Sequence, residues 1–154
     1  MISFTGKLVH LFLYKSANLN PERVKSGIPG CQGLDILFWK TPNRNFTHKD
    51  GTTKNGTRYE IYTPKKEVHP DNVIYYLHGG GYIGKQNWIY RYQSRYFSKA
   101  AGNATVIYLD YDVAPEYTYP TQLNQAMDLW EEITGPLGFR AENIVCGGDS
   151  AGGN

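Results

Sequence analysis

The chain has 154 residues, of which 40% are hydrophobic and 14% aromatic, and its formal net charge is +2. This length suits one domain with a hydrophobic core, and the apolar content excludes a disordered chain. Proteins that bind nucleic acid usually carry a much stronger basic charge, so no nucleic-acid partner is expected. No run of about 18 apolar residues is present, so no membrane span is expected either.

Cysteine usage and the first residues indicate a cytoplasmic protein. Two cysteines, Cys31 and Cys146, are too few for a disulfide framework. The opening stretch lacks the small-residue cleavage site of a secretion signal. Cys146 lies in a short apolar run that predicts a buried strand, where it would act as a small hydrophobic side chain.

Residues 1–57 have mixed character, and we expect them to form a cap or lid segment together with the first strands. Apolar residues between Phe4 and Phe12 fit one face of a helix, and residues 34–39 resemble a strand. The pairs Asp50-Gly51 and Asn55-Gly56 are turn signals.

From residue 58 onward the chain alternates regularly between strand and helix patterns. Strands are predicted over 58–63, 73–77, 105–109 and 143–146. A first helix between them would bury Ile89, Tyr92, Tyr96, Phe97 and Ala100, and would end near Gly102. A second helix, opened by Pro120 and stopped at Gly135, would bury Leu123, Ala126, Met127, Trp130 and Ile133.

This alternation is typical of parallel βαβ units, so residues 58–154 are predicted to form an α/β core with a mainly parallel sheet and flanking helices. Ligands of such folds bind at the carboxyl ends of the strands. Two glycine-rich motifs follow predicted strands at such ends, and these motifs indicate the function.

The first motif, Gly148-Asp149-Ser150-Ala151-Gly152, has the pattern G-x-S-x-G directly after an apolar run. A serine on a sharp turn between strand and helix needs glycines on both sides, because larger side chains would clash there. The turn exposes the serine hydroxyl as a nucleophile. A glycine-rich loop with a structural serine is the alternative interpretation.

The second motif, His78-Gly79-Gly80-Gly81, follows the predicted strand 73–77. Its backbone N–H groups can approach a substrate closely and stabilise the oxyanion that forms during acyl transfer. Phosphate binding is the alternative for such a loop, but neither phosphate-loop spacing, G-x-x-x-x-G-K-[ST] or G-x-G-x-x-G, is present.

The motifs together resemble the hormone-sensitive-lipase-like family of esterases and lipases in the α/β-hydrolase superfamily. The resemblance covers about residues 58–154 and rests on four segments: His78 to Tyr82, Tyr111 to Glu116, the Tyr119-Pro120 pair, and Gly148 to Gly153. The oxyanion and nucleophile motifs stand about 70 residues apart, in the order of that family.

The resemblance implies a carboxylic-ester hydrolase that acts on a small-molecule ester through an acyl-enzyme, without a metal or an organic cofactor. Ser150 would be the nucleophile, and the N–H groups of Gly80, Gly81 and Ala151 would form the oxyanion hole. The supporting motif residues would be His78, Gly79, Gly148, Asp149 and Gly152. We expect His78 to shape the oxyanion loop rather than to act as the catalytic base.

The catalytic acid and histidine of this fold follow the serine in the chain, and the four residues after Ser150 contain neither. We therefore expect the 154-residue chain to be almost inactive alone. A catalytically dead small-molecule-binding protein on the same fold is the alternative. An amidase or peptidase is a third possibility, because nothing before Ser150 separates ester from amide substrates.

Several other polar and aromatic residues invite a functional interpretation. Asp110, Asp112 and Glu116 follow a predicted strand, and we expect them to be structural. His48 is expected to be a surface residue. Three aromatic residues could line a substrate pocket, although packing of a helix against the sheet is the preferred interpretation: Trp88, Tyr90 and Tyr92.

Overall fold

The computed structural model of the chain describes residues 45–66 and 71–154. The predicted helix near Phe4–Phe12, the strand at 34–39 and Cys31 lie outside the described residues. No helix within the described part of the chain is long and apolar enough to cross a membrane.

The described chain contains five strands and two α-helices. In order they are β1 (Phe46–Thr52), β2 (Arg58–Pro64), β3 (Val73–Leu77), α1 (Trp88–Ala100), β4 (Thr105–Asp110), α2 (Thr121–Thr134) and β5 (Ile144–Gly148). Short 3₁₀ turns flank β5 at Ala141–Asn143 and Ser150–Gly153.

The strands form one sheet in the order β1-β2-β4-β3-β5. Strand β3 runs parallel to both β4 and β5. Strand β2 pairs antiparallel with β4, and β1 pairs antiparallel with β2. The parallel part of the predicted α/β fold is therefore confirmed, and an antiparallel hairpin extends it at one edge.

The predicted strands agree with β2, β3, β4 and β5, although β5 continues through Gly147 and Gly148. Strand β1 was not predicted, and the turn expected at Asp50-Gly51 was wrong because both residues lie within it. Gly51 pairs with Tyr59, and a side chain at Gly51 would overlap the Tyr59 ring. The glycine therefore makes room for an aromatic ring rather than for a turn.

The hairpin between β1 and β2 closes where the second turn signal predicted it. Gly56 has a φ of 90°, which an L-residue rarely adopts. The Gly56 N–H donates to the Thr53 carbonyl at 3.0 Å, and the Thr53 N–H donates to the Thr57 carbonyl at 2.9 Å. The Thr53 hydroxyl and the Asn55 amide also donate to Asp128 on α2, which ties the hairpin to the core.

The two helices pack on opposite faces of the sheet. Leu129 and Ile133 of α2 are fully buried against one face, together with Tyr59, Val73, Tyr75, Ile107 and Leu109. Phe97 and Tyr90 of α1 pack on the other face against Tyr62, Val106 and Tyr108. Both faces of β4 are covered, as expected for a central strand with a continuous apolar run.

The buried faces of both helices agree only in part with those predicted. On α1, Phe97 packs against the core as predicted, but Tyr92, Tyr96 and Ala100 are exposed. Ser94 and Ser98 are fully buried instead. Small side chains let this helix approach the sheet, and the tyrosine hydroxyls remain in water.

On α2, Ile133 is buried and Ala126 and Trp130 pack against the core as predicted, but Leu123 and Met127 are exposed. Leu129, which was not predicted, is fully buried. Pro120 is the N-cap residue of α2 rather than its first residue, and Gly135 ends the helix as predicted. Gly102, with a φ of 69°, follows the C-cap of α1, also as predicted.

Strand β5 lies at the edge of the sheet, with β3 as its only strand neighbour among the described residues. Val145 is 66% exposed and Cys146 is also exposed. The prediction of a buried Cys146 was therefore wrong. An apolar run predicts a buried strand, but burial also requires that other elements cover both faces of that strand.

A polar cluster that the sequence did not predict joins the hairpin to α1. Arg91 forms a forked ion pair with Glu60, with N···O distances of 2.7–3.1 Å, and the Tyr62 hydroxyl donates to the same carboxylate at 2.5 Å. His48 Nε2 lies 3.4 Å from Glu60 and 3.3 Å from Asp50. Burial raises the pKa of Glu60, but its bonds to His48, Arg91 and Tyr62 outweigh burial and lower that pKa to about 2.

The same cluster predicts a pH-dependent stability. The hydrogen bond to Glu60 raises the pKa of His48 above its ordinary value of 6.5, although burial opposes the shift. A raised folded-state pKa means that the stabilisation is complete below the unfolded value and is lost as the pH rises through the folded value. We expect His48→Gln to lower the free energy of unfolding at about pH 5.5, by less than about 1 kcal/mol, and to have little effect at about pH 8.5.

Urea unfolding at both pH values measures this difference. Lys49→Gln is the control, because Lys49 is an exposed neighbour of His48 on β1. An effect of His48→Gln that is equal at both pH values, or larger at the higher one, would contradict the prediction.

Candidate active site

The parallel pairing of β3 with β5 brings the two glycine-rich motifs together. Leu77 and Gly148 are register partners at the ends of their strands. The loop 78–81 and the turn 149–152 therefore leave the sheet side by side, at the carboxyl edge where ligands of open α/β sheets bind.

Ser150 lies two residues beyond β5 in a sharp backbone turn. Its φ is 51°, an unusual value for a residue other than glycine, and the residue is exposed. A Cβ at Gly152 would overlap the backbone oxygen of Leu77, and a Cβ at Gly148 would overlap the backbone oxygen of Gly152. The flanking glycines are thus required by close backbone approach, which is the reason the sequence pattern gave for them.

Asp149 links the turn to the neighbouring loop. Its Oδ1 accepts the Gly79 N–H at 2.9 Å and the Tyr76 hydroxyl at 3.2 Å, and its Oδ2 accepts the Tyr90 hydroxyl at 3.1 Å. No cation pairs with this carboxylate among residues 45–66 and 71–154. Asp149 therefore acts within this structure as a hydrogen-bond acceptor that supports both loops.

His78 is fully buried and holds the start of the loop. Its Nδ1 lies 2.8 Å from the Gly79 carbonyl, so Nδ1 carries the proton, and its ring stacks on Tyr111 at 4.0 Å between centroids. The Tyr111 hydroxyl donates to the His78 carbonyl at 2.5 Å. Burial lowers the pKa of His78, which outweighs the bond to Gly79 and the nearby carboxylates. The imidazole is therefore neutral, and its Nδ1–H is already bonded to the Gly79 carbonyl of the loop.

The directions of two loop N–H groups follow from the planarity of the peptide bond. In a trans peptide the carbonyl and the next N–H point in opposite directions. The Gly79 carbonyl is held by His78, so the Gly80 N–H points away from that ring. The Gly80 carbonyl accepts the N–H groups of Ile83 at 3.1 Å and Gly84 at 2.8 Å. The Gly81 N–H, in the same peptide plane, therefore points away from Ile83 and Gly84.

The loop and the turn contain three N–H groups that make no hydrogen bond within the described residues. In the part of the chain that the structure describes, no protein acceptor is bonded to the N–H of Gly80, Gly81 or Ala151. Gly80 and Gly81 have φ values of 132° and 62°, so the loop conformation itself favours glycine at both positions.

The acidic residues that follow β4 were expected to be structural, and two of them bind neighbouring elements of the fold. Arg58 donates to Asp110 and to Asp112, each at 3.1 Å. Gln125 also donates to the Asp112 carboxylate at 2.8 Å, and its carbonyl oxygen accepts the Asp112 N–H. Glu116 is exposed. The cluster joins β2, β4 and α2.

Sequence reasoning missed the two tyrosines that bind Asp149. Tyr76 points from β3 and Tyr90 from α1, and burial beside Asp149 raises the pKa of Tyr76 to about 12. Tyr90 was considered only as pocket lining or packing. The chain contains thirteen tyrosines, and no pattern in the sequence distinguishes the two that bind Asp149 from the others.

Comparison with known proteins agrees with this architecture. Residues 74–154, more than half of the chain, match the family described by its α/β-hydrolase fold, and the chain belongs to that family. Its relatives include bovine (Bos taurus) arylacetamide deacetylase, 31% identical over 125 residues that cover 76% of this chain and 31% of the relative.

The relatives lie on the hormone-sensitive-lipase-like branch of the family, as the motifs predicted. Human (Homo sapiens) hormone-sensitive lipase is 30% identical over 65% of this chain and 10% of its own length. An esterase of the bacterial hormone-sensitive-lipase family has the same fold, with a TM-score of 0.71, 24% identity, and coverage of 90% of this chain and 44% of the esterase. The chain spans about a third of the length of the first curated relatives it matches.

The close backbone approach at the serine turn predicts a difference between two glycines. We expect Gly152→Ala to lower the free energy of unfolding by about 1–3 kcal/mol, because its Cβ would overlap the backbone oxygen of Leu77. Gly147→Ala is the matched control on β5, since its Cβ would meet only the Tyr76 ring at an ordinary 3.6 Å. Urea unfolding followed by tryptophan fluorescence measures both. Equal effects of the two substitutions would contradict the close-approach argument.

Proposed function

We propose that this chain carries the nucleophile and oxyanion hole of a carboxylic-ester hydrolase. Ser150 would attack the ester carbonyl, and the N–H groups of Gly80, Gly81 and Ala151 would bind the oxyanion. The observation that supports this most directly is the strained turn at Ser150, bonded through Asp149 to a loop whose next two N–H groups have no acceptor among the described residues.

The chemistry of this proposal is nucleophilic acyl transfer. The serine oxygen forms a bond to the carbonyl carbon, its proton passes to a base, and the alkoxide of the ester leaves with a proton. Water then releases the acid from the acyl-enzyme. The oxyanion donors act in both steps, and removal of one such donor typically costs about 10²–10³-fold in rate.

Neither described histidine is available as the base. His78 is buried and bonded to the Gly79 carbonyl, and His48 lies beside Glu60 on the hairpin. A base and an acid from outside the described residues would therefore complete the triad. The names of two further relatives, an arylesterase and an ethyl acetate hydrolase, favour a small-molecule ester as substrate.

The engagement of His78 also supports a second candidate function. A chain with a ligand-binding loop but no base could bind an ester or a carboxylate without turning it over. A cap formed by residues 1–57 and a cytoplasmic location stay predictions in either case.

A boronic acid distinguishes a nucleophilic serine from a structural one. We expect phenylboronic acid to form a tetrahedral adduct in which the Ser150 oxygen bonds to boron, the boron gains negative charge, and the hydroxyl proton is released to buffer. The amide signals of Gly80, Gly81 and Ala151 should shift in ¹⁵N NMR spectra, and the Ser150→Ala variant should show none of these shifts. Shifts that persist in Ser150→Ala, or are absent from the wild-type chain, would argue against this site.

Hydrolysis by the chain alone is expected to be close to background. Loss of the triad histidine costs about 10⁶-fold in the best-studied serine protease. The assay compares the purified chain with Ser150→Ala on a short p-nitrophenyl ester, and equal rates are expected. Turnover at ordinary enzyme rates that disappears in Ser150→Ala would mean that a histidine within this chain is the base.

A further inference from the structure

We propose that Tyr90 is a positioning residue for the oxyanion loop, acting through a hydroxyl that bridges the Gly79 N–H and the Asp149 carboxylate. Only the name of the loop rests on the proposed function. The bridge itself joins three segments that the sequence keeps apart: the loop after β3, helix α1 and the turn after β5.

The geometry of the bridge uses both capacities of a phenol. The Tyr90 oxygen accepts the Gly79 N–H at 3.0 Å, and its own proton is donated to Asp149 Oδ2 at 3.1 Å. A hydroxyl can accept and donate at the same time, whereas a phenylalanine ring of the same shape can do neither. Gly79 N–H is also within 2.9 Å of Asp149 Oδ1, so the three groups form a closed ring of hydrogen bonds.

Helix α1 holds the Tyr90 hydroxyl in a fixed place. The helix begins at Trp88 and is capped by the Asn87 side chain, which accepts the Ile89 N–H at 2.9 Å. The Tyr90 ring lies in the first turn and packs near the rings of Tyr76, His78 and Tyr108, at centroid distances of 5.6–6.4 Å. Burial raises the pKa of Tyr90, and the Asp149 charge raises it further, so the hydroxyl keeps its proton and remains a donor.

The bridge controls a peptide that matters for anion binding. The Gly79 carbonyl is held by His78 and its N–H by Tyr90 and Asp149, so both peptide planes that meet at Gly79 are fixed. The second of these planes carries the Gly80 N–H. Without the Tyr90 hydroxyl, the Gly79 N–H keeps Asp149 as its single acceptor, and the first plane gains freedom to rotate. The second plane is still held by His78 through the Gly79 carbonyl, but it shares the Gly79 Cα with the first plane, so the position of the Gly80 donor becomes less fixed.

Tyr76 differs from Tyr90 in one respect that a test can use. Its hydroxyl donates to Asp149 Oδ1 at 3.2 Å, but no contact joins it to Gly79. Tyr92 lies on the same helix as Tyr90, is 48% exposed, and its hydroxyl forms a hydrogen bond with that of Tyr96 at 3.0 Å. The chain thus offers one bridging tyrosine, one that binds only the carboxylate, and one that binds neither loop.

Amide hydrogen exchange of the ¹⁵N-labelled chain tests the bridge without any substrate. In Tyr90→Phe we expect exchange at Gly79 to accelerate on the order of tenfold, the typical effect of one net hydrogen bond. Exchange at the buried β4 amides of Val106 and Leu109 should stay unchanged. In Tyr92→Phe no amide of the loop should change, and in Tyr76→Phe the effect at Gly79 should be smaller than in Tyr90→Phe.

Two results would overturn the positioning role. One is unchanged exchange at Gly79 in Tyr90→Phe, and the other is an equal acceleration at Gly79, Val106 and Leu109, which would indicate general destabilisation. Should Tyr90→Phe fail to fold, the wild-type chain still decides the matter. Its Tyr90 hydroxyl proton should exchange more slowly than that of Tyr92 and give a nuclear Overhauser effect to the Gly79 amide proton; a fast-exchanging hydroxyl would refute the bridge.

Binding of phenylboronic acid separates this inference from the proposed function. If the wild-type chain forms the Ser150 adduct, Tyr90→Phe should bind on the order of tenfold more weakly with smaller shifts at Gly80, and Tyr92→Phe should bind like wild type. Equal affinity in Tyr90→Phe and wild type would leave the ester-hydrolase proposal standing and overturn the positioning role. Absence of any wild-type adduct would count against the proposed function, and the exchange experiment would still decide on the bridge.

Discussion

The parallel pairing of β3 with both β4 and β5 determines where every candidate functional group lies. Parallel neighbours end at the same edge of a sheet, so the segments that follow Leu77 and Gly148 must emerge together. The two segments approach so closely that a Cβ at Gly152 would overlap the carbonyl oxygen of Leu77, and a Cβ at Gly79 would overlap the Asp149 carboxylate. The chemistry of the site depends on this one topological fact, and the side chains around it refine the result.

The negative charge of Asp149 is offset by the hydrogen-bond donors around it. A carboxylate beside the proposed oxyanion hole would oppose the negative charge that such a hole must stabilise. Here the carboxylate accepts three hydrogen bonds, from one peptide N–H and two phenols, which disperse its charge in the direction of the protein. The free N–H groups of Gly80 and Gly81 belong to peptides fixed by other partners.

Much of this arrangement could be predicted from the sequence, because strands with apolar runs and glycine motifs leave strong local signals. Strand β1 could not, since its residues are mostly polar and exposed and it forms through pairing with β2. The faces of α1 were also mispredicted. Tyrosines at 90, 92 and 96 are chemically identical, and only tertiary packing decides that one of them contacts Asp149 while the others face water. The periodicity of apolar residues predicts which face of a helix is buried, but it does not predict which tyrosine hydroxyl has a hydrogen-bond acceptor nearby.

The position of β5 at the edge of the sheet has a thermodynamic consequence for the serine turn. Within the described residues its ladder has one side, so local opening of β5 breaks contacts with β3 alone. A strand that binds the free edge would therefore suppress this opening and hold Ser150 in its φ of 51° for a larger fraction of the time. Linkage is reciprocal: a ligand that selects the ordered turn must raise the affinity of the edge for that strand by the same factor. Edge pairing and the backbone geometry of Ser150 are thus two readouts of a single equilibrium.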